Sequence, residues 1–256
     1  MPSGHVLAHN RDVPAARRTV VAVLVTAALA CGVVLWHPSD RFDGVRRLAG
    51  LGADRLLPAP TVVERGGEFA FVRTQPGSSE PVGWDPCEPV RFAVNPDGQP
   101  KGGAALVDRA IARTSAATGL EFEDVGETDL RPFPGGYVSL GTDERLIVGW
   151  GDAAEYPELG GPVAGLGGSA TEERSAGRLE YVTGSIVLDV DAFTPAAIAQ
   201  SPRVMEAIVV HEVAHVVGLA HVAEPMEMMF DSSRGQIDYG PGDLEGLARL
   251  GSVPCD

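Results

Sequence analysis

Residues 211–221 read His211-Glu212-Val213-Ala214-His215-Val216-Val217-Gly218-Leu219-Ala220-His221. On a helix, His211 and His215 lie four positions apart, so both imidazoles project from one face and can share a single ion. Glu212 stands beside His211 and can reach a metal-bound water without being a ligand itself. Gly218 is where the helix should end, because glycine takes the positive-φ conformation that turns the chain sharply. That turn brings His221 back as a third ligand, and three neutral imidazoles leave a fourth position open, as a catalytic zinc requires. An isolated histidine is ordinarily a core or surface group. This chain, however, has six histidines, and the three outside this stretch all precede residue 38.

Upstream, short β-rich runs alternate with helical ones, the pattern of an α+β domain. Residues 89–95 alternate like a strand, and residues 102–118 place Leu106, Ala110, Ile111 and Ala117 at helical spacing. Strands are expected at residues 122–125, 146–150 and 184–188. The Gly-rich run 160–169 fits an edge strand or a loop under a ligand. Two helices that start on proline come next, residues 195–200 and 202–218, with Thr194 and Ser201 as N-caps. A last helix is expected over residues 243–250.

Four regions are expected: a basic N-terminus (1–18), an apolar segment (19–36), a linker or stalk (37–66) and a folded domain (67–256). A short helix is possible over residues 42–57 of the linker. The apolar segment TVVAVLVTAALACGVVLW carries no charge and would span roughly 27 Å as a helix, just enough for a bilayer. Arg11, Arg17 and Arg18 before it would keep the N-terminus cytoplasmic and place the chain beyond Trp36 outside. The competing reading is a removable signal peptide cut after Ala28-Leu29-Ala30. Cys31 gives only a weak lipoprotein signal.

Export agrees with the other two cysteines, Cys87 and Cys255, which an oxidising compartment would let pair. The alternative is a Cys87 thiolate blocking the metal in a latent form. The net charge is −15, and residues 1–47 hold six arginines against three aspartates, leaving 14 basic and 32 acidic groups in the rest. Such a surface repels phosphate backbones and argues against nucleic-acid partners.

The histidine string matches HExxHxxGxxH, the signature of the metzincin zinc peptidases, at all five fixed positions. Residues 224–230, EPMEMMF, come directly after it. Met229 with Phe230 resembles the Met-turn of the matrixin family, with Met228 as an alternative register. More faintly, residues 184–194 resemble the matrixin strand that ends in calcium-binding acids, and residues 243–251 resemble the closing helix. The resemblance implies a small mixed β-sheet, an active-site helix and a C-terminal helix. It also implies one catalytic zinc on His211, His215 and His221, with Glu212 as the catalytic base and Gly218 and Met229 as structural residues of the site.

The substrate class implied is an extracellular protein or peptide, lying extended along residues 160–169. Calcium at Asp189 and Asp191 is a further implication, with turn-forming carboxylates as the plainer reading. Departures are visible too. No histidines remain for a second zinc, no cysteine-switch propeptide is recognisable, and Asp231 stands where astacins and serralysins place a tyrosine. Tyr239 lies too far on to take that role. Rival readings are a peptidase with a distant carboxylate as third ligand, a zinc-stabilised surface binding module without turnover, and an envelope protein with an incidental metal.

Overall fold

The computed structural model describes residues 20, 23–26, 29, 31–33, 54–134, 138, 145–174, 177–232 and 235–255. The chain divides into two compact units, Met1–Gly52 and Ala53–Asp256. In the first, the described residues are helical. Residues 1–18 and most of the expected span at 19–36 and linker at 37–53 lie outside the described residues. Among the described residues, no helix is long and apolar enough to cross a membrane.

The second unit is an α+β domain. Among the described residues its strands are β1 (Ala70–Phe71), β2 (Val90–Val94), β3 (Phe122–Glu127), β4 (Leu146–Gly151), β5 (Gly165–Glu173), β6 (Leu179–Asp189) and β7 (Leu219–Ala220). Its α-helices there are α1 (Gly103–Thr118), α2 (Pro195–Gln200), α3 (Pro202–Val217) and α4 (Pro241–Leu250). Five strands form a mixed sheet in the order β3-β2-β4-β6-β5. All neighbours are parallel except β5, which runs antiparallel to β6 at the edge.

Burial explains that order. Every residue of β4, Leu-Ile-Val-Gly-Trp-Gly, is buried, as a strand covered on both faces requires. β6 is buried from Tyr181 onward, whereas edge strand β5 is mostly half-exposed. On one face, α1 and α3 pack together and bury Leu106, Val107, Ala110, Val209, Val210 and Val213 with Leu146, Val148, Ile186 and Leu188 of the sheet. Each of the leucines, valines and isoleucine among them contributes roughly 1.5–3 kcal/mol by leaving water. Trp150 and Phe193 close one end, ring centroids 5.5 Å apart and edge to face. On the other face, Phe133, Tyr156, Leu159 and Val187 form a second cluster. Arg131 pins the chain there by donating to both oxygens of Glu155 and to the Trp150 carbonyl.

Residues 54–66, expected within the linker, run along the domain. Leu56 N–H donates to the Pro86 carbonyl (3.1 Å) and Arg65 N–H to Glu245 Oε2 (3.1 Å). Arg55 donates to the carbonyls of Leu57 and Gly119, and residues 54–57 form no helix, the chain bending at Leu56 and Leu57. Thr194 caps α2 as expected, accepting from Ala197 N–H at 3.1 Å. Ser201 makes no side-chain cap; its N–H closes α2 on the Ala197 carbonyl, and its own carbonyl accepts from Met205 N–H at the start of α3. Cys87 and Cys255, 168 residues apart, are joined in a disulfide, so the latent-thiolate alternative fails.

Candidate metal centre

Helix α3 carries two of the expected ligands. Its buried stripe of Ala207, Val210, Val213, Ala214 and Val217 sinks into the core and leaves His211 and His215 half-buried, one turn apart on the other face. The helix ends at Gly218, with φ at 119° and its N–H shared between the Ala214 and His215 carbonyls. A Cβ here would meet the Leu250 side chain at 2.9 Å and the Tyr181 ring at 3.1 Å, so both dihedral and space demand glycine. The Val216 carbonyl, exposed by the ending helix, accepts from the Trp84 indole and the Ser169 hydroxyl.

Beyond Gly218 the chain does not simply turn. Leu219 and Ala220 pair with β1 in a two-stranded antiparallel ribbon, and Val72 N–H donates to the Gly218 carbonyl. This ribbon aims His221 back at the helix. His221 Nε2 lies 3.0 Å from His211 Nε2 and 3.1 Å from His215 Nε2.

The other ring nitrogens decide what the Nε2 atoms can do. His211 Nδ1 is 3.0 Å from the Met228 carbonyl, and His215 Nδ1 is 2.8 Å from the Leu219 carbonyl. Carbonyls only accept, so both Nδ1 atoms carry the proton and both Nε2 atoms present bare lone pairs. His221 Nε2 carries at most one proton and can satisfy at most one of them. A cation between the rings removes the conflict, and zinc with Zn–N of roughly 2.0–2.1 Å would set the nitrogens about 3.3 Å apart. Burial also keeps the rings neutral, pushing His211 down to about 4 and His215 to about 3.

Glu212 is buried between α3 and edge strand β5. Burial pushes its carboxyl up to about 8, opposed by a hydrogen bond from Gly167 N–H. A Cβ on Gly165 would sit 2.8 Å from Glu212 Cγ, and one on Gly167 would sit 2.3 Å from the Glu212 carbonyl. The glycines therefore let the strand lie directly on the helix backbone at the catalytic candidate.

No model of a known protein family matches this chain, and no curated protein matches it either. The site is therefore described by its own geometry. Met228 and Met229 are buried, and their turn is tied to two ligand segments. Met228 offers its carbonyl to His211, while the Met229 carbonyl accepts from Val222 N–H, next to His221. Asp231 donates its N–H to the Val222 carbonyl. The Tyr239 hydroxyl bonds Thr114 Oγ1 at 2.8 Å, on the helix-packing side of α3.

Two acids missed in the sequence hold this turn. Glu227 accepts the N–H groups of Gly242 (3.0 Å) and Asp243 (2.9 Å) at the start of α4, where the helix dipole favours a carboxylate. Asp243 in return accepts those of Met228, Met229 and Gly240. Burial pushes Asp243 up to about 6, with the three N–H groups pulling the other way. Only Asp243 had a local signal, as the third residue of a helix beginning at Pro241. Asp189 Oδ1 accepts Asp191 N–H at 3.0 Å, the turn-forming geometry. Among the described residues, convergent groups of three ligand side chains occur only at the histidines and at Asp85, Cys87 and Cys255, where both sulfurs are already bonded.

Proposed function

We propose that this chain is a zinc-dependent endopeptidase of the metzincin type, closest to the matrixins, acting on extracellular proteins or peptides. The observation that carries the reading is the convergence of three imidazole Nε2 atoms, two of them held as bare lone pairs by backbone carbonyls, beside a buried glutamate. A bound zinc would supply Lewis-acid polarisation of the scissile carbonyl and lower the pKa of water. Glu212 then takes the proton of the attacking water and hands it to the leaving amine. Its burial suits both steps, because a carboxyl pushed upward accepts a proton more readily than an exposed one.

The small mixed sheet, the helix that carries two of the histidines and the C-terminal helix form the α+β domain that the reading requires. Among the described residues β5 has no strand partner on its outer side, where an extended peptide would add by backbone pairing, with the Gly167 N–H already given to Glu212. Location outside a membrane is supported by the Cys87–Cys255 disulfide and the uncharged stretch at 19–36. Turnover separates this reading from a zinc-stabilised surface binding module, which would hold the metal and cut nothing. The full chain, loaded with zinc and incubated with a diverse peptide library, is expected to cleave internal peptide bonds. Chelation and Glu212→Ala should each abolish cleavage, and cuts that persist in the Glu212→Ala protein would overturn the mechanism.

A further inference from the structure

Asp243 touches none of the imidazoles, yet one peptide group links it to His211. The peptide between Met228 and Met229 turns its carbonyl to His211 Nδ1 (3.0 Å) and its N–H to Asp243 Oδ1 (3.3 Å). Amide resonance couples the two ends, so a carboxylate drawing on the N–H makes the carbonyl a stronger acceptor. A stronger acceptor at Nδ1 fixes the tautomer, orients the ring and makes Nε2 a better donor to a metal.

The carboxylate is itself well oriented. Its other oxygen accepts from Met228 and Gly240 N–H, while its own N–H is held by Glu227. Both acids are 1% exposed, and neither forms an ion pair with a cationic side chain among the described residues. A buried carboxylate without a cationic partner is costly even when backbone N–H groups bond it. Closing the capping box from the third helical position does not require it, since a neutral glutamine serves there as well.

We propose that Asp243 is a positioning residue of the metal centre: through the Met228–Met229 peptide it locks and aims His211, so zinc affinity depends on a carboxylate that never reaches the metal. The inference rests on the zinc reading of the histidine cluster. It assigns the C-terminal helix a part in holding the metal, in addition to packing.

The test is Asp243→Asn in the full chain, with zinc affinity measured by chelator competition far below the melting temperature. Asparagine can keep an oxygen toward Met228 and Gly240, which sets its amide group against Met229 N–H and breaks the link. Zinc binding is expected to weaken about 10- to 100-fold. Glu245→Gln is the control, since Glu245 is a buried acid on the same helix that bonds Arg65 N–H and Arg249 and not the methionine turn, and its zinc affinity should stay within about threefold of wild type. While the apo-proteins remain folded, lost global stability alone leaves the dissociation constant unchanged. Equal affinity in Asp243→Asn and wild type, or an equal loss in both variants, overturns the proposal.

A second measurement needs no variant. Imidazole ¹⁵N shifts of the metal-free wild type should show His211 protonated at Nδ1 and bare at Nε2, and the opposite tautomer also overturns the proposal. Failure of the wild type to bind zinc at all would instead remove the metal-centre reading, and the inference with it.

Discussion

The two arms of the histidine cluster are built on different principles. His211, Glu212 and His215 ride on α3, where helical spacing alone fixes their relation and neighbouring valines anchor the helix in the core. His221 rides on a return arm, residues 219–231, with almost no regular structure of its own. Partners distant in sequence shape that arm: β1 pairs with β7, and Asp243 and Glu227 join the methionine turn to α4. The helical arm therefore owes its geometry to local hydrogen bonds, and the return arm owes its geometry to the folded domain. Perturbing α3 should remove ligands outright, whereas loosening the domain should release the return arm first.

The largest effect is expected from His215→Ala, which deletes a proposed ligand and its hydrogen bond to the Leu219 carbonyl, while β1, Asp243 and Glu227 still hold the return arm. Zinc affinity should fall about a thousandfold or more with little change in thermal stability of the metal-free protein, as read by chelator competition and calorimetry. If His221→Ala loses as much affinity and also melts residues 219–231 in hydrogen exchange, the return arm depends on its ligand more than its contacts imply.

Cleaving the disulfide probes the other arm. Cys255 lies just beyond α4, and closing 168 residues of chain contributes up to about 5 kcal/mol in the chain-entropy account. Reduction or Cys87→Ser should lower the denaturation midpoint accordingly. Hydrogen exchange should rise in 219–231 before it rises in α3, and simultaneous loss would erase the distinction between the arms.

Gly218→Ala strikes the junction between them. The positive φ and the contacts at 2.9 and 3.1 Å suggest a cost of about 2–4 kcal/mol. Chemical denaturation measures it, and a cost near zero would mean that the turn relaxes freely.

The smallest effect is a pH dependence. Burial raises Asp243 from the ordinary aspartate value to about 6, so the folded protein favours its protonated form. Its stabilising contribution is complete below about pH 4 and is lost as pH rises through about 6. Denaturation curves of wild type and Asp243→Asn between pH 4 and 7 should diverge in that window, with wild type losing stability relative to the variant as pH rises.

Much of the domain was legible in the chain. The apolar run of β4, the spacing of Leu106, Ala110 and Ile111, and the proline starts of α2 and α3 are local signals, and the elements stand where those signals place them. The part of β6 before Gly184 was missed because its alternation is interrupted, and β1 was missed because two residues carry no periodicity. At the site, Gly165 and Gly167 were visible only as a glycine-rich run. Their purpose emerges from contact with Glu212, which lies 45 residues further along the chain than Gly167. Glu227 gave no signal at all, since a glutamate in a turn reads as a surface residue until its partners are known.

By itself, the sequence determined what depends on near neighbours: helix period, turn residue, and the chemistry of three imidazoles and a carboxyl within eleven positions. Only the tertiary structure decided which way those imidazoles face and which nitrogen His211 and His215 keep bare. Those outcomes depend on carbonyls, glycines and buried carboxylates brought together by packing, and contacts between distant segments leave no periodic trace in the chain.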